Sequence, residues 1–526
     1  MDLPKIAICS TVAVYLLHAA LRTWKNQKLA LVRIFTLWLP PGPKCLPFFG
    51  NLFDINVSEP WLTYIEWGRQ YGGVIFTTLL GQNFVVINDK KIAYELLERR
   101  SAIYADRPYL STNKFFGVDF NTGLLTYGKK WRLHRKMCNI AFNKQVSIAY
   151  QPMQLRKVQQ LLQNLIATPQ DYVKYVGTFS GSVIMAITYG YDAAPENDPF
   201  VSNALRLMEI VTRMVTPVRA ALFTAFPILA YIPSWLPGGR YKQQAGECRP
   251  LARRVLDDPV NYVKNSLTTG FARKSLVYDL LRAEIGKDTD LNCGETMKEV
   301  AATAFGAGVD TTSAVLLVFV LAMTLYPEVQ TKAQEEIDHV VGRDRLPDFG
   351  DQRNLPYVEC VLLETLRWCP ILPEVPHLTR MDDVFDGMYI PKATTVLLNI
   401  WYFLSKSYQF QGLTMTRAMS HDEIHFPDPS TFKPERYLTS EGKVAEDTSS
   451  PIFDIGRRHV ATRSVWAAIV SILATLRIGK AIDENGHEIE VKLEFEPGLV
   501  MHPKPFRCSI EARSLGAKDL ISTTNL

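Results

Sequence analysis

The chain lacks any paired-cysteine pattern. Its eight cysteines, Cys9, Cys45, Cys138, Cys248, Cys293, Cys360, Cys369 and Cys508, are scattered through 526 residues, with no C-x-x-C pair and no metal-finger spacing. That argues against a disulfide framework and for a reducing compartment. A dense Lys/Arg stripe interleaved with aromatics is also missing. With a net charge of only +5, nothing points to nucleic acid. A mildly basic face suits an anionic membrane surface or an acidic protein partner, or is simply solvated. No linker divides the chain. Long apolar runs are scarce: Ala314–Tyr326 is uninterrupted for 13 residues, short of the roughly 18–20 a membrane span needs. A transporter or other multi-span protein is therefore excluded.

What is present is ordinary globular composition, 47% hydrophobic and 21% charged, with ample material for a core. Near the start, Ile6–Leu21 is a 16-residue apolar run followed by Arg22, Lys25 and Lys28. Trp24 and a snorkelling Arg22 extend it towards a single span. Most positive charge lies after the run, so it reads as a signal anchor with a lumenal N-terminus and a cytosolic body. Residues 1–28 are thus expected to be the anchor. Residues 29–45, which contain the stiff Pro40–Pro43 segment (PPGP), form a hinge. Beyond it the expected elements are a hairpin, Val74–Leu80 with Asn83–Ile87, then helices over Asp89–Arg100, Tyr127–Phe142 and Gln151–Tyr189. Two helices joined by an apolar loop, Leu222–Leu236, are expected within Tyr191–Leu276, and further helices at Glu328–Val341, Pro356–Trp368 and Ser464–Leu476. A hairpin around Pro391–Lys392 and a strand over Lys492–Pro503 complete the reading. The expected fold is mainly α with small β-sheets (α+β).

The central stretch is Ala301–Tyr326, whose apolar run holds one polar knot: Gly306, Gly308, Asp310, Thr311 and Thr312. A glycine inside a helix costs about 1 kcal/mol against Ala, and a buried Asp costs more unless it is hydrogen-bonded. Such a knot marks either a ligand lying against a locally relaxed helix or a core helix with back-bonded threonines. Trp131 and Arg135 share a face of the basic helix, with Lys129, Lys130, Arg132 and Lys136 around them. That face either holds an anion, meets an acidic partner, or is solvated. Glu364 and Arg367 stand at i,i+3, which in isolation is a weak surface ion pair.

Order adds what spacing alone does not. Ala307–Thr312 (AGVDTT) comes first, then Glu364-Thr365-Leu366-Arg367, then Phe432–Tyr437 (FKPERY), then Phe453–Arg458 (FDIGRR). With the anchor, the PPGP hinge and Trp131-x-x-x-Arg135 in place, the chain resembles the cytochrome P-450 family along its whole length. In style it is similar to fungal microsomal members of the O-methylsterigmatocystin oxidoreductase type. The resemblance implies a P-450 domain over 46–526 and haem b (heme b, an iron cofactor). It implies monooxygenation of a lipophilic small molecule with O2, at a catalytic domain held on the cytosolic side of the endoplasmic reticulum membrane. Electrons would come from NADPH only through a membrane reductase (NADPH–cytochrome reductase), for which the Lys129–Lys136 helix is a candidate docking face. Asp310 and Thr311 would pass protons to bound dioxygen, and Gly308 would let the helix open beside the ligand. Glu364, Arg367 and Arg436 would form a buried triad supporting the iron loop. Trp131, Arg135, His377 and Arg458 would bind haem propionates, Arg through its forked donors. His377, in PEVPHLTR, also reads as a structural histidine.

Two departures interrupt the resemblance. The family's ligand motif is F-x-x-G-x-R-x-C-x-G, whose cysteine thiolate favours O–O cleavage. Phe453, Gly456 and Arg458 match, but His459, Val460, Ala461 and Thr462 follow. Val460 stands where the cysteine falls, so the expected metal ligand is absent, with about five residues of the family segment missing. Upstream, Tyr402–Arg417 intervenes between Asn399-Ile400-Trp401 and Ala418–Asp422. A retained intron and an over-long splice would produce both departures. A degenerate, non-catalytic copy of the same fold is the other account.

Overall fold

The computed structural model describes residues 38–522 apart from 58, 234, 236–238, 284–291, 401–427, 429 and 446–457. The Ile6–Leu21 run, the Tyr402–Arg417 insertion and Phe453–Arg457 therefore lie outside the described residues. The protein is mostly helical, with small sheets.

Helix α1 (Pro60–Tyr71) leads into β1 (Val74–Leu79) and β2 (Gln82–Ile87), an antiparallel pair. The next helix, α2 (Lys90–Tyr94), begins where the Asp89 side chain accepts from the amide of Ile92 and widens to a π turn at Glu95–Arg99. Short helices α3 (Ser101–Tyr104) and α4 (Ser111–Phe116) precede the basic helix α5 (Lys129–Phe142). The stretch read as continuously helical to Tyr189 is two helices, α6 (Gln151–Ala167) and α7 (Tyr172–Tyr189), because Pro169 cannot extend the first.

The region after Tyr191 departs further from expectation. Three helices occupy it: α8 (Pro199–Met214), α9 (Pro217–Ala225) and α10 (Arg240–Thr268). Pro217 opens a helix, where its missing N–H is harmless. Pro250 and Pro259 lie inside α10. An interior proline costs about 3 kcal/mol. The buried stripe Cys248, Ala252, Val255, Leu256, Val260 and Val263 outweighs that cost. In the apolar Leu222–Leu236 segment, the start ends α9 and Pro227–Tyr231 is a 3₁₀ turn.

Helix α11 (Leu276–Arg282) is followed by the axis of the molecule, α12 (Cys293–Leu325), which starts at an Asn292 cap. It is long and apolar enough to cross a membrane, yet most of its apolar window is buried in protein, packed on α7, α8 and α5. Helices α13 (Pro327–Val340) and α14 (Pro356–Trp368) each begin on proline. Strand β3 (Glu374–Leu378) joins the main sheet beside β6 (Thr395–Asn399), in the order β1-β2-β6-β3. The second hairpin closes at Asp386–Gly387, both at positive φ, rather than at Pro391–Lys392. It consists of β4 (Asp383–Phe385) and β5 (Met388–Ile390). The Asp-Gly pair outranks Pro-Lys as a two-residue turn. Strand β6 (Thr395–Asn399) instead runs parallel to β2 and antiparallel to β3.

Helix α15 (Arg458–Thr475) starts six residues before the expected Ser464 and packs on α12, α6 and α13. It runs into β7 (Leu476–Lys480), which pairs with β10 (Cys508–Ala512). The C-terminal strand-like stretch is a small hairpin, β8 (Phe495–Glu496) with β9 (His502–Pro503). A last helix, α16 (Leu515–Ser522), rests on α6, whose Gln159 side chain donates to the Leu520 and Ile521 carbonyls.

Candidate active site

Helix α12 carries the polar knot at its middle. Asp310 is buried, and its Oδ1 lies 2.9 Å from Nε2 of His502 on β9. Its Oδ2 has no hydrogen-bond partner among the described residues. Thr311 donates to the carbonyl of Ala307 at 2.7 Å, and Ser313 to that of Asp310 at 2.9 Å. Helix α12 is unbroken through this region, so the opening expected at Gly308 is not seen. A Cβ at Gly308 would stand 2.8 Å from Ile184 Cγ1 on α7. The glycine lets two core helices approach. The hydroxyls of Thr311 and Ser313 are back-bonded, which for Thr311 is the alternative its sequence left open.

The triad residues meet. Arg367 grips Glu364 with two bonds, Nε to Oε2 at 2.6 Å and Nη2 to Oε1 at 2.7 Å. Arg436 Nε reaches Oε1 at 3.1 Å, and the Lys433 amide donates to the same oxygen at 2.7 Å. All three charged side chains are almost wholly buried, so the surface-pair reading of Glu364 and Arg367 does not hold.

The four expected anion-binding groups are differently placed. On α5 the exposed Arg135 guanidinium lies 5.5 Å from the Trp131 ring, which packs on Tyr127. Arg380 stacks on the other aromatic, 4.4 Å from the Tyr127 centroid. The Tyr127 amide donates to Asp106, whose own carbonyl accepts from the amide of Leu378 at 2.8 Å. One short loop therefore ties the start of α5 to β3, where His377 sits. His377 is buried, with Nδ1 3.0 Å from the Tyr104 carbonyl and Nε2 unpartnered among the described residues. Burial, then the charge of Arg107, pushes its pKa down to about 3, so it is a neutral imidazole. Arg458 is the first residue of α15. Lys130 is not free for a partner, because it pairs with Glu299 on α12 at 2.7 Å.

Two residues absent from the sequence reading line cavities here. A cavity of about 180 Å³ is bordered by Asp310, His502, Glu209 and Glu496. A neighbouring one of about 330 Å³ has Glu374 and Trp61 in its wall. Nothing local in the sequence pairs His502 with Asp310. Glu374 did leave a signal: an acid inside the apolar, proline-flanked run ILPEVPHL.

The chain matches the Cytochrome P450 family over residues 40–507. It belongs to that family. It is similar to the Cytochrome P450 monooxygenase claR of Ampulloclitocybe clavipes, 36% identical over 92% of this chain and 88% of that one. It is 35% identical to the Cytochrome P450 monooxygenase ARMGADRAFT_974139 of Armillaria gallica, over 94% of this chain and 96% of that one. A third relative, the Cytochrome P450 monooxygenase ple1 of Rhodocybe pseudopiperita, is 35% identical over 92% and 91%. By family, then, this P450 is a haem monooxygenase. The family's cofactor is haem iron, a reductase supplies its NADPH electrons, and its substrates are lipophilic.

The residues of this P450 do not fit a thiolate-ligated iron. Arg458 opens α15, and Val460, at the ligand position, is buried in the first turn of that helix. Its carbonyl accepts from Gln154 Nε2 at 3.3 Å. Cysteines elsewhere are poor substitutes: burial pushes the thiols of Cys248, Cys360 and Cys508 up to about 12, the opposite of what a thiolate ligand requires. Cys369 is buried just past the end of α14. His459 is the second residue of α15 and half-buried.

Proposed function

We propose that this P450, as written, is a membrane-anchored protein that accommodates a lipophilic molecule but does not insert oxygen into it. The observation that carries this is Val460, buried inside a helix at the place of the iron ligand. In this reading Asp310 and Thr311 no longer deliver protons: Asp310 holds His502, and Thr311 is satisfied by its own helix. The buried triad remains as a structural support, and Trp131, Arg135, His377 and Arg458 are remnants of an anion site.

Attachment to the endoplasmic reticulum membrane is supported by more than the N-terminal run. Phe53, Ile228, Tyr231 and Trp235 are 71%, 63%, 77% and 79% exposed. They lie on two segments joined by the edge-to-face Phe48–Phe226 contact at 6.2 Å. An apolar surface of that kind suits a lipid face. The exposed cations Lys129, Arg132, Arg135 and Lys136 of α5 offer a reductase-docking face.

The test is the spectrum of the purified full chain, supplied with haemin, reduced and exposed to carbon monoxide. No thiolate-type band is expected; a red-shifted Soret band of that type overturns the proposal. Sequencing the spliced transcript across codons 395–470 decides the second reading, that of an active monooxygenase. A message without Tyr402–Arg417 and with a cysteine a few residues past Arg458 would encode one.

A further inference from the structure

The β8–β9 hairpin is too small to hold itself. It pairs only Phe495 with Pro503 and Glu496 with His502, and Pro503 has no N–H to give the ladder. Most of it is anchored from outside. Met501 and Phe495 pack with Trp61 and Ile65 of α1, and the Met501 amide donates to the Ile371 carbonyl at 2.7 Å. Val500 is buried in the main core, and His502 meets Asp310 of α12. The tip, Glu496–Leu499, is held more lightly. It sits on the last turn of α8, where the Thr212 carbonyl accepts from the Leu499 amide at 2.8 Å. A helix leaves such carbonyls without an internal partner. Gly498 makes the seat close: a Cβ there would stand 3.2 Å from that same oxygen. A second hold is ionic. Arg213 Nη2 reaches Glu496 Oε2 at 2.5 Å, and its Nη1 reaches Glu209 Oε1 at 3.2 Å. Arg206 in turn bonds the other oxygen of Glu209 at 2.7 Å and Glu247 of α10 at 2.6 Å. An alternating row of charges thus runs from α10 along α8 to the hairpin, each side chain 42–48% exposed.

We propose that the Glu496–Leu499 tip is a gate between the two cavities, latched to α8 by Arg213 and released by salt. The cavities of about 330 Å³ and about 180 Å³ share Arg213, Glu496 and Pro497 as wall, so lifting the tip joins them. Asp310 and His502 stand in the wall of the smaller one. The gate therefore sets how far the polar knot of α12 is open to the larger. Charge decides the latch because the tip buries little: Pro497 is exposed, and Gly498 and Leu499 are half-buried. A lone exposed ion pair is weak, and it weakens further as the screening length falls from about 10 Å at 0.1 M salt to about 3 Å at 1 M. The row makes this latch more than a lone pair. Glu209 holds the Arg213 fork in place, and Arg206 with Glu247 holds Glu209, so Glu496 meets a guanidinium that is already oriented. The gate involves no haem, and it is the same whether or not the chain inserts oxygen.

The test is hydrogen exchange of the full chain in lipid nanodiscs, read by mass spectrometry at one pH while NaCl rises from about 0.02 M to about 0.5 M. A peptide carrying the Leu499 amide is expected to exchange about fivefold faster at the higher concentration, with β2 unchanged. Arg213→Gln and Glu496→Gln should each show the fast rate already in low salt and lose the salt response. Glu247→Gln, at the far end of the row, should give about a twofold rise that salt completes. Gly498→Ala should loosen the tip in low salt with every charge in place, since its Cβ meets the Thr212 carbonyl. Lys504→Gln removes only the pair with Glu494 at 3.0 Å and should match wild type. Joining of the cavities is read separately: diethyl pyrocarbonate should modify His502 faster in Arg213→Gln than in wild type at the same low salt. An exchange rate indifferent to salt, a salt response that survives Arg213→Gln, or an equal rise in β2, which would make the loosening global, overturns the gate. So does an equal rate of His502 modification, which would mean that the cavities stay apart. Should Arg213→Gln fail to fold, Glu496→Gln decides in both measurements, with the wild-type salt series beside it.

Discussion

Glu364 accepts from two arginines and a backbone amide while fully buried. Replacing it with Ala strands two buried guanidinium groups. The expected loss is about 3–5 kcal/mol, read as a shift in the urea midpoint. Glu374 and His377, three positions apart on β3, give opposite pH dependences. The Glu374 carboxyl lies at about 7 against an ordinary 4.5. The folded state keeps a proton the unfolded state has released, so this contribution is full below about 4.5 and lost as pH rises through about 7. The melting temperature of Glu374→Gln relative to wild type should therefore climb between those values. His377, at about 3 against 6.5, resists a proton that the unfolded chain accepts. Stability falls as pH drops from about 6.5 towards 3, and His377→Gln should flatten that limb in the same melting series. At this scale the sequence was only partly readable. Glu364 and Arg367 show themselves by their i,i+3 spacing, but Arg436 is attached to them only through the family's motif order. His502 is invisible, because its partner is set by tertiary packing.

Along α12, two glycines two residues apart, Gly306 and Gly308, face different neighbours and should respond differently. A Cβ at Gly308 meets Ile184 at both Cγ1, 2.8 Å away, and the stiff Cβ, 3.1 Å away. Gly308→Ala is expected to destabilise by about 1–3 kcal/mol, with partial recovery when combined with Ile184→Ala. A Cβ at Gly306 meets the flexible end of Met208 at 3.1 Å. There the gain in helix propensity, up to about 1 kcal/mol, should leave Gly306→Ala neutral or slightly stabilising. Thermal melts of the three variants decide. Helix α15 sets a further limit. Val460→Cys should not produce a thiolate spectrum, since the side chain is fixed inside a helical turn rather than on a loop facing a ligand. Element positions were readable where periodicity was strong and caps explicit, as at Pro356–Trp368. They were less readable after Tyr191, where three helices stand instead of the two expected and the stripe of α10 carries the helix through Pro250 and Pro259. The turn falls at Asp386–Gly387, whose positive φ angles close the hairpin before Pro391–Lys392 is reached.

For the molecule as a whole, the proposed Ile6–Leu21 anchor is not expected to be the sole contact with lipid. A chain starting at residue 38 should still co-sediment with anionic vesicles. Substituting Ser for Tyr231 and Trp235 together should reduce the vesicle affinity about thirtyfold or more, since each aromatic side chain contributes more than about 1 kcal/mol on burial. Unchanged binding would mean that those rings serve another surface.

The distances in sequence between partners have a consequence for how the protein is made. Asn88 waits 311 residues for Asn399, and Asp310 waits 192 residues for His502. At about 5–20 residues per second, a ribosome leaves the β2 edge open for roughly 15–60 s. A carboxylate in the middle of the long apolar helix α12 stands without its partner for part of that time. Exposed strand edges and half-finished cores are what recruit holding chaperones. The time this P450 takes to reach its native state is thus bounded from below by translation, and slowing the ribosome lengthens the interval in which the chain needs shelter.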